Sequence, residues 1–331
     1  MRPITVDIHA HYFPAAYLRL MKDEGARHGV RYDESNPDGP VLHVDGDIPS
    51  GPVNAGFVDL DVRLAAMNEQ QVDVQALSLT QPMVYFDDAE FSLALARTFN
   101  DAASAAHVAH PRRLVGLAQL PLDHPRRALD ELERAARLPG IRGVYFGTNT
   151  GRLELSANEL FPVYERVASL GLPIFLHPVK QVGFARLQPY FLRNLLGNPM
   201  ENALAAAHLI FGGVLDAFPT LEVSLPHAGG ALPWISGRLD QGHRVNRQCG
   251  HLPRPPSDYL RRFTYDTICH SEEIMAWLIT LVGADRIMLG SDYCFAMGYR
   301  RPKAMVDALD VSDEDRNLIL GGTAARLLRI A

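Results

Sequence analysis

The sequence predicts a (β/α)₈ barrel, since short apolar segments alternate with helical ones, eight such apolar segments occur, and polar residues follow several of them. Most of the predicted strands are continuous in apolar residues, which is typical of strands covered on both faces. They span residues 4–8, 72–79, 114–120, 143–146, 173–176, 221–225, 263–266 and 287–289. An open doubly wound sheet is the alternative, but no GxGxxG follows the first strand.

Helical patterns fill most of the intervals between these strands. They span residues 61–70, 89–110, 125–137, 157–169, 199–218, 271–282 and 312–328. Ser271 and Ser312 stand directly before acidic residues, as N-cap serines often do. Residues 12–59 and 179–198, after the first and fifth strands, are too long for plain connections. We expect both insertions at the carboxyl-terminal mouth of the barrel, where barrel enzymes bind their substrates.

The bulk composition is that of an ordinary globular enzyme. The 331 residues include 47% hydrophobic and 21% charged residues, which suits one large barrel domain over residues 1–331. The net charge of −6 offers no basic surface for nucleic acid or anionic membranes. No apolar run approaches the roughly 20 residues that cross a bilayer. Three cysteines without disulfide or CxxC spacing, and an N-terminus without a signal-peptide pattern, predict a reduced, cytoplasmic protein.

Histidine and aspartate follow four of the predicted strands. His9 and His11 come after the first strand, and their spacing puts both imidazoles on one face, where they can bind one cation. His177, His227 and Asp292 follow the fifth, sixth and eighth strands. Because the carboxyl ends of all barrel strands meet at one mouth, we expect these side chains to converge on a metal-dependent active site.

Together these residues belong to a pattern that resembles the amidohydrolase superfamily. The similarity is greatest to the branch of nonhydrolytic decarboxylases that includes aminocarboxymuconate-semialdehyde decarboxylase. It covers nearly the whole chain and rests on six motifs: Asp7-Ile8-His9-Ala10-His11, Gln71-Val72-Asp73-Val74-Gln75, Leu176-His177-Pro178, His227-Ala228-Gly229-Gly230, Pro253-Arg254-Pro255-Pro256-Ser257 and Leu289-Gly290-Ser291-Asp292-Tyr293.

The resemblance implies a set of roles for these residues. Its implied metal ligands are His9, His11, His177 and Asp292. His227 is implied to stand near the metal-bound water as an acid or base. Arg238, eleven residues later, matches an arginine that reaches a substrate carboxylate across a dimer interface, which implies a homodimer or higher oligomer.

Two positions depart from the superfamily pattern. The fourth strand ends at Gly147, so no lysine is available for a carbamate that bridges two metals, and one metal is expected. Gly51 stands where the aminocarboxymuconate decarboxylase has a substrate-binding arginine, which argues against that particular substrate. Lys180 or Arg186, after the fifth strand, is a candidate replacement charge.

Three imidazoles and one carboxylate suit zinc and also accept manganese, with a position left open for water or substrate. Arg238 is the candidate anchor for the substrate carboxylate, and His227 or Asp292 is the candidate proton carrier. Trp234 and Phe295 are candidates for stacking on a flat substrate, and His270 for a further contact.

The leading hypothesis is a decarboxylase of a small conjugated or aromatic carboxylic acid. A hydrolase of a lactone or amide ring, or a hydratase, is the alternative on the same metal site, because one barrel hosts many chemistries. A noncatalytic metal-binding scaffold is a hypothesis of a different class.

Overall fold

The computed structural model describes residues 3–44 and 48–330, and ten strands lie within them. They are β1 Val6–His11, β2 Val30–Asp33, β3 Val41–Val44, β4 Val74–Ser78, β5 Leu114–Gln119, β6 Ile141–Gly147, β7 Ile174–His177, β8 Val223–Leu225, β9 Phe263–Asp266 and β10 Ile287–Met288. All but β2 and β3 form one parallel sheet, in which each strand pairs with the next along the chain. This order is the one that repeated β-strand and helix units produce.

The sheet closes on itself between its first and last strands. The amide of Ile8 donates to the carbonyl of Leu289 at 3.0 Å, and the amide of His11 donates to the carbonyl of Tyr293 at 2.7 Å. In return, the amide of Asp292 donates to the carbonyl of His9 at 2.9 Å. The predicted (β/α)₈ barrel is therefore confirmed.

In the described part of the chain, thirteen α-helices surround the barrel or extend its connections. They are α1 Ala15–Glu24, α2 Ala55–Val58, α3 Leu60–Glu69, α4 Ala89–Ala109, α5 Pro125–Ala135, α6 Phe161–Leu170, α7 Asn198–Phe211, α8 Val214–Ala217, α9 Leu232–Val245, α10 Glu272–Val282, α11 Pro302–Asp307, α12 Asp313–Asn317 and α13 Thr323–Leu328. Within the described residues, no helix combines the length and the apolar character that a membrane crossing requires.

Several predicted boundaries were wrong. The helix predicted over 199–218 is two helices, since Gly213 adopts a left-handed conformation between α7 and α8. The helix predicted over 312–328 contains a π-helical segment, Leu318–Gly322. The first strand does not end at Ile8, because it continues to His11 with hydrogen-bonded neighbours on both sides.

The segment between the first two barrel strands has structure of its own. It contains α1, then the antiparallel hairpin of β2 and β3, then α2 and α3. Residues 179–198, after β7, fold into short 3₁₀ turns and the π-helical segment Arg193–Gly197. Both segments follow the carboxyl ends of their strands, so they begin at the barrel mouth.

Candidate metal centre

Three buried imidazoles meet at the mouth of the barrel. His9 and His11 share one face of β1, and His177 ends β7. One ring nitrogen of each lies within 4.8 Å of those of the other two. The chain thus brings together three groups that can donate to one cation, as the strand positions predicted.

Asp292 completes the group of four residues that the sequence singled out as ligands. Its Oδ1 atom lies 3.1 Å from Nε2 of His11 and 3.7 Å from Nε2 of His9. The residue lies four positions after the end of β10, and its φ of 57° turns the chain at the mouth. Its carboxylate adds an anionic oxygen to the three imidazoles.

The surroundings favour neutral imidazoles at His177 and His11, whereas at His9 the hydrogen bond to Asp266 and the charges of nearby carboxylates together outweigh burial and raise the pKa. Burial lowers the pKa of His177 well below its ordinary value, and the neighbouring His11 and His9 lower it further. Burial also lowers the pKa of His11. A neutral imidazole has a lone pair to donate, so this donor set fits a divalent first-row cation.

Asp266, at the end of β9, holds a side chain of the centre in position by a hydrogen bond, a role that the sequence did not predict. Its Oδ2 accepts from Nδ1 of His9 at 2.7 Å, and its oxygens accept from the amides of His227 at 3.0 Å and Ala228 at 2.9 Å. Burial alone would raise the pKa of Asp266, but the hydrogen bond from His9 helps to lower it below its ordinary value. Such a carboxylate orients a metal-binding imidazole and makes it a better donor.

A second network of buried hydrogen bonds holds β1 in place, and the sequence did not predict it. Asp7 accepts from the amide of Ser291 at 3.0 Å and from Nε2 of Gln75 at 2.9 Å. The fully buried Arg63 donates to Oε1 of Gln75 at 2.6 Å and also to the carbonyl of His11. These bonds tie the strand that carries His9 and His11 to the segment that carries Asp292.

His227 lies beside the three imidazoles and has a polar partner of its own. Its ring centroid lies 5.3 Å from that of His9 and 6.2 Å from that of His177. Its Nδ1 atom lies 3.2 Å from Nδ2 of Asn202. Burial, with the charge of His9, lowers the pKa of His227 to about 4. The ring is thus neutral near pH 7.

The space above the centre has two lobes that share five residues, namely Asn194, Asn198, His227, Asp292 and Met297. The metal lobe, about 460 Å³, also touches His177, Gly51 and Phe295. The tryptophan lobe, about 410 Å³, also touches Trp234, Trp277 and His270. Phe295, Trp234 and His270 therefore lie at the mouth, where the sequence analysis expected them, while their contact with a substrate stays a prediction.

The predicted cationic groups do not reach these lobes within one chain. Among the described residues, neither lobe is lined by a lysine or an arginine. The Lys180 side chain lies over Gly151, and Arg186 and Arg238 are exposed. The sequence does not show which charged groups lie opposite these long side chains, so it could not predict where their cationic ends are.

At the two positions that depart from the superfamily pattern, a side chain larger than that of glycine would collide with the backbone. A Cβ at Gly51 would lie 2.6 Å from the carbonyl oxygen of Pro40, and its φ of 128° is one that L-residues rarely adopt. A Cβ at Gly147 would lie 2.5 Å from the carbonyl oxygen of Asn149. With this backbone, neither an arginine at 51 nor a lysine at 147 can be accommodated.

Comparison with known proteins places this geometry among metal-dependent barrels. The family model described as amidohydrolase matches residues 6–330. The chain is 30% identical to 2-amino-3-carboxymuconate-6-semialdehyde decarboxylase of Dictyostelium discoideum, over 99% of this chain and 92% of that protein. It is 28% identical to gamma-resorcylate decarboxylase of Polaromonas sp., over 82% of this chain and 87% of that protein. The crystal structure of 5-carboxyvanillate decarboxylase from Sphingomonas paucimobilis matches with a TM-score of 0.85 at 25% identity, covering all of both chains.

Proposed function

The chain belongs to the amidohydrolase family, and we propose that it is a metal-dependent, nonhydrolytic decarboxylase of a small conjugated or aromatic carboxylic acid. Its relatives named above are decarboxylases of such acids. The observation that carries the proposal is the convergence of three buried imidazoles and the Asp292 carboxylate beside His227. A hydrolase or hydratase would need the same centre, so substrate turnover decides between them.

In the proposed centre, His9, His11, His177 and Asp292 hold one divalent cation. Zinc is our first choice, and manganese also suits nitrogen and oxygen donors. The bound cation supplies positive charge that stabilises negative charge developing on the substrate. Gly147 leaves no room for a lysine that would bridge a second metal, which supports a single ion.

Decarboxylation requires three functions from the side chains of this protein. It must hold the flat acid, exclude water from the carbon that loses CO₂, and deliver a proton to that carbon. Phe295 lies with its ring centroid 5.3 Å from that of His11, where it can cover one face of a ring. His227 and Asp292 are the two titratable residues, among the described residues, that border both lobes, and we propose that they bond substrate oxygens or move the proton.

We assign Arg238 to the substrate carboxylate of a neighbouring subunit. It is exposed on α9, one turn after Trp234, and does not line the lobes of its own chain. Trp234 is 78% exposed, and Ile274 and Trp277 on α10 are also exposed. Exposed aromatic and aliphatic side chains near an arginine are typical of the centre of a subunit interface. A homodimer would let one copy complete the other's site.

We also propose that the enzyme works in the cytoplasm. Cys249, Cys269 and Cys294 are all free thiols, which a reducing compartment maintains.

The test is CO₂ release from a panel of hydroxybenzoates and muconate-type acids. Metal-loaded protein should release CO₂ from at least one acid, and removal of the metal by a chelator should abolish this. Addition of zinc or manganese should restore it. Ring opening of a lactone or amide without CO₂ would instead identify the hydrolase, and no turnover with any compound would favour the scaffold.

A further inference from the structure

The hydrogen bonds around His227 determine which of its ring nitrogens carries the proton. Asn202, on α7, is fully buried. Its Nδ2 atom lies 2.9 Å from the carbonyl oxygen of Pro226 and 3.2 Å from Nδ1 of His227. A carbonyl oxygen only accepts hydrogen bonds, so the nitrogen of the Asn202 amide, and not its oxygen, must face Pro226.

The reversed orientation of the amide is unfavourable because of Pro226. It would take the donor away from the Pro226 carbonyl oxygen and place Oδ1 of Asn202 against that oxygen. Oδ1 has no hydrogen-bond partner among the described residues, so no bond made by Oδ1 competes with the orientation that Pro226 determines. Repulsion between two buried oxygens destabilises the reversed form.

The amide nitrogen therefore donates one hydrogen bond to the carbonyl oxygen of Pro226 and a second one to Nδ1 of His227. If Nδ1 accepts, the proton of the neutral imidazole must be on Nε2. We infer that Asn202 is a positioning residue that holds His227 as its Nε2–H tautomer, so that His227 donates a hydrogen bond to a substrate oxygen. The catalytic part of this inference rests on the proposed decarboxylase function.

A hydrogen on Nδ1 would set an N–H of the ring against an N–H of Asn202, and the Asn202 amide cannot turn to relieve the contact without losing Pro226. The Nε2–H is thus the group that His227 offers to a substrate oxygen. As the bond between carbon and carboxylate breaks, CO₂ departs and the electron pair of that bond stays on the carbon. A proton from solvent water then takes the place of CO₂ on that carbon, while the Nε2–H of His227 stays hydrogen-bonded to the substrate oxygen.

The tautomer is directly measurable by NMR. In zinc-loaded protein labelled with ¹⁵N, two-bond correlations from the ring hydrogens distinguish a protonated nitrogen from one with a lone pair. The His227 signals are identified by their absence in His227→Ala. Near neutral pH, we expect His227 with a protonated Nε2 and an unprotonated Nδ1. A protonated Nδ1, or a doubly protonated ring, would overturn the inference.

Substitution of Asn202 provides the second part of the test. In Asn202→Asp, the carboxylate accepts from Nδ1, so the proton should move from Nε2 to Nδ1. The matched control is Asn100→Ala, because Asn100 is also a fully buried asparagine whose Nδ2 donates to a carbonyl, that of Gln119 at 3.0 Å, but far from His227 in the chain. It should lose stability and keep the wild-type His227 tautomer.

Kinetics then separate positioning from folding. Per metal-loaded site, Asn202→Asp should lower kcat at least about tenfold, with a smaller change in KM, as expected when an interaction specific to the transition state is lost. An unchanged kcat with a reversed tautomer would overturn the assigned role of His227. The NMR result stands whether or not any acid is decarboxylated, so a wild-type protein that shows the Nε2–H tautomer but releases no CO₂ would count against the proposed function alone.

Discussion

The buried metal centre and the exposed rim of the tryptophan lobe are built in different ways. At the centre, each polar side chain has fixed partners: His9 bonds Asp266 at 2.7 Å, and His11 bonds the carbonyl of Leu79 at 3.1 Å. At the rim, Trp234 is 78% exposed and contacts Trp277, with ring centroids 5.8 Å apart. The side chains that we propose for the centre thus all come from one chain, whereas the rim offers an exposed surface to another molecule.

Substitutions in these two regions should therefore have different effects. Changes at the centre should affect metal binding or the rate of the chemical step, since those side chains are already held in place. Changes at the rim should affect substrate affinity and subunit association. Four substitutions test this division, and we give them in order of decreasing effect.

Removal of an imidazole from the centre should have the largest effect. His177→Ala should reduce bound metal from about one ion per chain to none and lower CO₂ release to the level of chelator-treated protein. The control is His208→Ala, because His208 bonds Ser156 on the outside of the barrel at 2.8 Å. Metal analysis and CO₂ release measure both. Full metal content in His177→Ala would remove this residue from the ligand set.

His227→Ala should keep the metal and lose turnover. Loss of a donor aimed at developing charge lowers kcat by about 10²–10³-fold, and we expect a loss in that range. Steady-state kinetics on protein of measured metal content provide the test. Wild-type kcat in this variant would exclude His227 from the mechanism.

Asp266→Asn should weaken metal binding without abolishing it. The variant takes the negative charge away from the partner of His9, and loss of such a partner costs about 10–100-fold in metal affinity. Competition with a chelator of known affinity measures the change. If affinity is unaltered, the buried pair of His9 and Asp266 supports the fold and not the metal.

Arg238→Ala should have the smallest effect at the centre, because it acts at the rim. We expect KM to rise about tenfold with bound metal unchanged, as for the loss of one charged contact. Arg244→Ala is the matched control, since Arg244 lies on the same helix and, among the residues that the structure describes, bonds Gln241 alone. Equal KM values in the two variants would contradict the assignment.

A mixing experiment tests whether Arg238 acts between subunits. Subunits of His177→Ala and Arg238→Ala are each defective, but a mixed dimer contains one site with both an intact centre and a neighbouring Arg238. Random reassociation should therefore give about a quarter of wild-type activity at low substrate concentration. No recovery, or an active monomer, would show that Arg238 does not act across an interface.

The sequence predicted the centre better than the rim for a physical reason. Apolar strands followed by His177 or Asp292 reveal both the barrel and the residues at its mouth, since strand direction determines where such residues meet. Asp266 also ends a strand, so its position at the mouth was predictable. Its role was not, because a carboxylate that bonds His9 follows a strand in the same way as one that binds a metal. Arg63 was not visible at all, because the pattern of its helix does not distinguish a buried arginine from an exposed one.

The long side chains of the rim could not be located from sequence. A backbone position does not determine where the charged end of a long side chain lies. None of the three candidates lines the lobes of its own chain, namely Lys180, Arg186 and Arg238. The helix α9, which carries Trp234 and Arg238, was itself not among the predicted helices. A residue that completes a neighbouring subunit leaves little trace in the pattern of a single chain.

Anomalous X-ray diffraction from crystals of zinc-loaded protein, recorded on both sides of the zinc absorption edge, shows where the metal binds. We expect one strong peak per chain, enclosed by the imidazoles of His9, His11 and His177 and the carboxylate of Asp292. A peak at any other place, a second peak beside Gly147, or no peak at this cluster would contradict this assignment.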